Sequence, residues 1–474
     1  MHRFGLLALG ALALCGGSGP ARAANWPQFR GPDGAGVAEA DDFPSVFGPD
    51  TNVLWQANLA PGNSSSCIWG DRVFLTAFSD PNLETICLDR TTGRVVWRRV
   101  APADKVDPAG LRANPAAPTP ATDGARVYAY FGAFGLLCYD LDGGTVWQRA
   151  LPLPVTQHGV GSSPVLAGDL VVLARDQDIG SHLLALDKHN GKTVWQTERA
   201  SFRRGFATPL VWETGGQRLL VVSGTLQVVA YRLADGLEQW RASGLPNELC
   251  SSPVAAGGLV YVAGWTYGSG VARMPAFDDL VGQFDANQDG RLSREEARDG
   301  PAKQHFLYID ADKNGVITRA EYDSMADIFT RSENALLAIR AGGTGDVTAS
   351  HVVWKQKRGL PYVPCPLLYR DRLYLVRNGG LVSCLNPASG VPFYQEERLG
   401  ALGDYYASPV AANGKICVIS QPGVAVVFAA GDTLQVLARN ELRQPVMATP
   451  AIADGTLYVR TQGSLFAFRG TNSP

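Results

Sequence analysis

Short stretches with alternating apolar and polar side chains recur along most of the chain. Arg-Val-Phe-Leu75, Arg-Val-Tyr-Ala129 and Arg-Leu-Tyr-Leu375 are three copies. A period of two is that of a strand with one face on a core. Each copy follows a proline motif and a short turn that often holds glycine. The motif is explicit in Ser-Ser-Pro164-Val, Ala-Thr-Pro209-Leu, Ser-Ser-Pro253-Val, Ala-Ser-Pro409-Val and Ala-Thr-Pro450-Ala. Pro120 and Pro366 mark two more copies, and Ser66 stands in the first. An apolar strand ending in Leu-Asp comes next, then a glycine turn, then a strand with tryptophan. The clearest cases are Cys-Leu-Asp-Arg-Thr-Thr-Gly-Arg-Val-Val-Trp97 and Ala-Leu-Asp-Lys-His-Asn-Gly-Lys-Thr-Val-Trp195.

Spacings between the motif positions run 54, 44, 45, 44, 113, 43 and 41. A period near 44 with four short strands per unit predicts a β-propeller. The motifs count eight blades. The last copy, from Met447 to Arg469, lacks its outer tryptophan strand, whereas Asn52-Val-Leu-Trp55 stands alone before the first. Pairing the two closes the ring and removes free sheet edges. Trp97, Trp147, Trp195, Trp240 and Trp354 share one repeat position, with Phe393 in the sixth copy and Val436 or Leu437 in the seventh. Large rings there fill the wedge between blades. Cys87, Cys138 and Cys384 share a strand position with Ala185 and Ala338, which suits small buried packing.

The spacing of 113 exceeds the period by roughly 70 residues, and that excess carries two candidate calcium loops. Asp285 to Glu296 and Asp310 to Glu321 each fit the EF-hand template. Oxygen ligands fall at Asp285, Asn287 and Asp289 and at Asp310, Asp312 and Asn314. Arg291 and Val316 offer backbone carbonyls, and Glu296 and Glu321 the bidentate carboxylate. Gly290 and Gly315 sit where the loop turns sharply, and Ser293 and Thr318 can hold a bridging water. Leu292 and Ile317 are placed to pair the loops through a short antiparallel contact. Leu280, Phe284, Phe306, Ile309, Tyr322, Met325 and Phe329 supply apolar helical faces, and Gly300-Pro301 cuts the helix after the first loop short.

The expected fold is therefore all-β: an eight-bladed β-propeller of four-stranded blades with a small α-helical EF-hand insertion in blade five. Its parts are a signal peptide at 1–23, propeller at 24–266, EF-hand pair at 267–333 and propeller again at 334–474. The insert lies between the second and third strands of its blade, on the face that usually carries a propeller's ligand mouth. Two bound Ca2+ ions are expected to order it as a flap over or beside that mouth.

Arg3, the apolar run Leu6 to Leu14 and Ala21-Arg-Ala23 form an export signal with cleavage before Ala24. The run is too short to anchor permanently in a bilayer, so a periplasmic or extracellular protein is expected. Cys15 raises lipid anchoring, against which the bulky Leu14 before it argues. With 42 basic and 44 acidic residues the net charge is −2, which disfavours nucleic-acid binding and anionic lipid. Seven cysteines follow the signal, without CxxC, so neither a disulfide framework nor a zinc site is indicated. No transmembrane segment stands out, and a monomer is expected.

The Leu-Asp-x-x-Thr-Gly-x-x-x-Trp pattern resembles the tryptophan-docking repeat of pyrroloquinoline-quinone (PQQ)-like propellers. That family includes quinoprotein dehydrogenases and the non-catalytic envelope-assembly lipoprotein BamB. The opening Asn25-Trp-Pro-Gln-Phe-Arg-Gly-Pro-Asp-Gly34 is similar to the start of many secreted members. Dehydrogenase members often hold a vicinal Cys-Cys pair against the cofactor; this chain has no adjacent cysteines, so PQQ is not expected. No Gly-x-Ser-x-Gly, His-Glu-x-x-His or phosphate loop is present. Catalytic and cofactor-binding residues are therefore assigned to none. The leading expectation is an exported, non-catalytic, calcium-binding scaffold for an unidentified protein or small ligand. A PQQ-dependent alcohol or sugar dehydrogenase and a BamB-like assembly factor are the alternatives. Candidate mouth residues are Gln157, His158, Arg175, Asp176, Asp178, Arg203, Arg204, Asp404 and Tyr405.

Overall fold

The computed structural model describes residues 24–38, 41–106, 114–156, 158–267, 269 and 274–470. The predicted signal, Cys15 and Gln157 lie outside them. Eight antiparallel sheets of at least four strands form the blades. Blade 1 is Cys67–Trp69, Arg72–Ser79, Asn82–Asp89 and Val95–Val100. Blade 3, Val165–Ala167, Leu170–Arg175, His182–Asp187 and Thr193–Glu198, is typical. Its second and third strands are almost wholly buried, while the outer strand buries only Trp195 and shows its other residues to solvent. This explains the mixture of continuous and alternating apolar runs along the repeat.

The ring closes as the sequence predicts. Val53–Asn58 pairs with Ser464–Arg469, giving blade 8 its outer strand before blade 1 begins. Blade 4 gains a fifth, parallel strand, Gly345–Asp346, from the last turn of blade 5. Among the described residues no helix is long and apolar enough to cross a membrane.

Tryptophan docking explains the glycine of the repeat. The indole Nε1 of Trp97 donates to Leu141 O of the next blade at 2.9 Å. Trp147 does the same to Lys188 O, Trp195 to Leu233 O and Trp354 to Pro387 O. Each ring lies on the glycine of that blade's outer turn. A Cβ built on Gly191 would stand 2.7 Å from Trp147, at a backbone φ of +70°. Trp55 continues the series across the seam, donating to Arg90 O at 2.8 Å.

Two substitutions at this position are corrected. The residue opposite Cys384 is Tyr394, and the one opposite Val427 is Ala438. Phe393 points out, 41% exposed, with Arg372 over its ring. The rule missed at the sequence level is four residues from glycine to ring: Gly390 to Tyr394 repeats Gly93 to Trp97. Strand alternation then turns the neighbouring residue outward. Cys87, Cys138 and Cys384 are buried free thiols on the inner partner strand.

In blade 5 the second strand, Leu259–Gly264, and the third, Ala335–Arg340, are adjacent in the sheet although 70 residues lie between them. Among its described residues that stretch holds three α-helices, α1 (Phe277–Phe284), α2 (Phe306–Ile309) and α3 (Arg319–Arg331); a fourth, α4 (Thr348–His351), precedes the blade's outer strand. Phe277, Leu280, Leu292, Ile309, Ile317 and Met325 form a separate small core that also takes in Leu226 of blade 4.

Candidate functional site

The proline motif builds a belt around the propeller axis. The residue before each proline offers its side chain to the backbone N–H of the preceding blade's equivalent residue. Ser65 N donates to Thr119 Oγ1, Thr119 N to Ser163 Oγ, Ser163 N to Thr208 Oγ1 and Thr208 N to Ser252 Oγ, at 2.9–3.1 Å. Ser252 N donates to Cys365 Sγ, Cys365 N to Ser408 Oγ and Ser408 N to Thr449 Oγ1. Proline holds that residue extended, and its hydroxyl satisfies an amide that would otherwise be buried without a partner. At the remaining step, the seam, Arg460 of blade 8 takes over. Its Nη1 donates to Ser64 Oγ at 2.7 Å and its Nη2 to Ala60 O at 3.2 Å.

The segment from Asn25 to Val37 crosses one end of the axis. Trp26 and Val37 make bridges to Ile68 of blade 1 and Ala411 of blade 7, on opposite sides of the seam. Between them Arg30 is fully buried. Phe29 faces a cavity of about 310 Å³ that opens on the other side, so the axial channel is a blind funnel with this segment as its floor. The wall is made by the links between blades. Asn63, Asn114, Phe206, Glu248, Cys250, Tyr362 and Tyr406 line it, with His158 at the rim. Burial raises the Glu248 carboxyl pKa, against the opposing effect of the Arg204 charge. Burial likewise pushes the Cys250 thiol well up.

Most of the charged residues expected at the mouth are instead structural. Asp176 takes two hydrogen bonds of 2.7 Å from buried Arg199. Tyr405 is buried with its hydroxyl on Ala401 O. Arg175 donates to Pro152 O and Tyr130 Oη. Asp178, with no exposed side-chain surface, pairs with Arg204 at 2.6 Å and Lys313 at 2.9 Å. Arg204 also covers the Tyr308 ring at 4.0 Å, and Arg203 donates to Tyr308 O at 2.6 Å. These residues fasten the helical segment to blades 3 and 4 beside the funnel. Asp404 lies in the link from blade 6 to blade 7, where its backbone oxygen accepts from Gln421 N. The floor segment was quoted in the sequence only as a likeness; its closely spaced glycines and buried-type aromatics were the available signal.

Both acidic loops fold on their own backbone. Gly290 N donates to Asp285 Oδ2 and Gly315 N to Asp310 Oδ2. The Glu296 carboxylate accepts from Ala286 N and Ser293 N, and Glu321 from Ala311 N and Thr318 N. Leu292 and Ile317 pair directly in a two-residue antiparallel contact. Glu321 also completes a capping box with Thr318 at the start of α3, which turns its carboxylate back over the loop. In the second loop, oxygens of Asp310, Asp312 and Glu321 come within 4.8 Å of one another. Asp310 is 2% exposed and its Oδ1 has no hydrogen-bond partner. Desolvation, followed by the Glu321 and Asp312 charges, raises its carboxyl pKa. A divalent cation with oxygen preference fits this donor set. Among the described residues, the first loop gathers no comparable trio; there Asn287 Nδ2 donates to Asp289 Oδ2 at 3.2 Å. Asn314 Nδ2 donates to Asp312 in the same way, and Arg291 and Val316 sit at the loops' carbonyl positions.

An eight-bladed ring with indole-on-glycine docking between blades and a floored axial funnel is a propeller of the PQQ-repeat class. The chain belongs to the family described as "Outer membrane protein assembly factor BamB", whose model matches residues 45–213 and 183–473. No curated protein matches. Among solved structures it is similar to BamB from Moraxella catarrhalis: 12% identity, 88% of this chain and 99% of that one, TM-score 0.54. Quinohemoprotein alcohol dehydrogenases are also similar. That of Comamonas testosteroni has 11% identity, 95% and 82% coverage and a TM-score of 0.55. ADHIIG of Pseudomonas putida HK5 has 10%, 95%, 81% and 0.53. At these identities the likeness is one of fold.

Proposed function

We propose that the protein is an exported, non-catalytic scaffold that binds Ca2+ in its EF-hand-like segment and receives a protein or small ligand at the funnel face beside it. The single observation that carries the cation reading is Asp310: a buried carboxylate oxygen without a partner, facing two further carboxylates. Leaving that group uncompensated is costly, and a cation supplies what the backbone does not. The export reading rests on the leading Arg3, Leu6–Leu14 and Ala21-Arg-Ala23 pattern. The binding reading rests on the funnel's mixed aromatic and amide wall. Belt hydroxyls along that wall are already engaged in hydrogen bonds between blades.

Calorimetric titration with calcium tests it. Two sites are expected, one lost in Glu296→Gln and the other in Glu321→Gln. Proteolysis between 277 and 330 should quicken on chelation. No heat of binding, or equal cleavage with and without chelator, ends the reading.

A second reading, a quinoprotein alcohol or sugar dehydrogenase, is favoured by one feature: Glu248 places a carboxyl group of raised pKa on the funnel wall. Reconstitution with calcium and PQQ, followed by dye reduction with alcohols and sugars, separates it from the scaffold reading. A BamB-like role in envelope assembly predicts recovery of assembly proteins from envelope extracts.

A further inference from the structure

The wall of the 310 Å³ funnel carries charge of one sign only. Glu248 is the one carboxylate on its described lining, and no lysine or arginine lines it. Four aromatic side chains, Phe29, Phe206, Tyr362 and Tyr406, share the lining, and each keeps part of its surface open. At the rim, burial and then the Arg204 charge lower the His158 pKa, which favours the neutral ring. Arg204 and Lys313 lie outside the lining, both engaged by buried Asp178, at 2.6 and 2.9 Å.

The carboxylate and the rings are neighbours. Burial raises the Tyr362 phenol pKa, and the nearby Cys250, Glu248, Tyr406 and Tyr267 groups act on it in the same direction. Trp265 and Tyr267 hold Tyr362 edge-on, each with its ring centroid 5.8 Å away. Tyr267 is 71% exposed and carries this cluster out to solvent. Aromatic faces are electron-rich and attract cations. Glu248, partly withdrawn from water, has lost hydration that would offset a negative charge. The Arg204 and Asp178 charges act on it in opposite directions. Belt oxygens on the lining already accept backbone amides. A primary ammonium would need acceptors for three N–H groups, whereas a fully alkylated one needs none.

We infer that the funnel binds a small alkylated ammonium cation, with Glu248 as counter-ion and the Tyr362, Tyr406 and Phe206 rings against its methyl groups. This rests on the reading of the funnel as a ligand site and names the class of ligand. The site is separate from the calcium loops.

The probe is choline, compared with dimethylbutanol, its neutral isostere with carbon in place of nitrogen. Both are titrated calorimetrically into the full chain at fixed calcium. Choline should bind about tenfold more tightly. Glu248→Gln should remove most of that preference. Tyr362→Leu should weaken choline by about fivefold and change the alcohol little. Equal affinities in the wild type overturn the inference and leave the funnel a small-molecule site. Binding of neither overturns it too, without touching a protein ligand at the same face. A preference for choline that survives in Glu248→Gln also overturns it, because the counter-ion is then elsewhere. The wild-type comparison needs no variant and decides even if both substitutions prevent folding.

Discussion

The backbone amide of Ser252 donates to the Cys365 sulfur at 3.2 Å, the one belt step made with a thiol. Every other observed step uses a hydroxyl, and Cys365 passes the chain of bonds on through its own amide to Ser408. The cysteine therefore occupies a serine's place in the repeat.

Cys365→Ser should be close to neutral in denaturant unfolding. Cys365→Val should cost about 1–3 kcal/mol, because the Ser252 amide is left buried without an acceptor. If valine is tolerated as well as serine, the belt does not contribute to stability.

Gly191→Ala tests the docking of Trp147. Its backbone is left-handed and an added methyl would meet the indole at 2.7 Å, whereas Gly215, also left-handed, has open space around it. Gly215→Ala should cost about 1 kcal/mol from the backbone alone. Gly191→Ala should cost about 1–3 kcal/mol more through overpacking. Equal losses in urea melts would show that the indole yields freely.

Asp178→Asn removes a fully buried carboxylate and leaves buried Arg204 and half-buried Lys313 facing each other. A loss of about 3 kcal/mol is expected. Cleavage between 277 and 330 should quicken even in saturating calcium, because Lys313 belongs to the second loop itself. Unchanged cleavage would mean that the segment is held by its apolar core alone.

Calcium near 1 mM should stabilise the folded chain by about 1.4 kcal/mol for each loop of 10⁻⁴ M affinity. Glu321→Gln should forfeit one such increment in calorimetric melts. The trio at Asp310 predicts that this loss exceeds that of Glu296→Gln.

Glu248 sets a pH dependence. Its folded pKa is raised above the unfolded value near 4.3, so the native state binds the extra proton between the two. The slope of stability with pH is negative there: stabilisation is full below about pH 4 and is lost as pH rises through the folded pKa. Glu248→Gln should flatten that decline in melts taken from pH 4 to 8. An identical decline in the variant would assign it to other groups.

Blade count, strand order and the closing strand Val53–Asn58 were legible in the sequence because the repeat places glycine, tryptophan and proline at fixed geometric stations. The pairing of Leu292 with Ile317 was legible because the loop template fixes it. What spacing could not give was charge pairing across blades. Asp178, Arg204 and Lys313 lie far apart along the chain and meet only through the ring. Read as polar loop residues, Asp178 and Arg204 suggested a mouth; burial turns them into a clamp. Phe393 was misplaced by one residue, and in a strand one residue exchanges inside for outside. Arg30 sits among closely spaced glycines and buried-type aromatics, a signal of tight packing that does not by itself say that the axis passes there.

The sheet that Val53–Asn58 shares with Ser464–Arg469 joins the earliest strand to the latest. During synthesis the first strand emerges some 400 residues before its mate. Seven sectors can therefore assemble only as an open arc, with Trp55 able to reach Gly93 but its own sheet missing. The finished disc is a clasp fastened last, and a truncation of the final 20 residues should leave every earlier blade present yet the molecule unlocked.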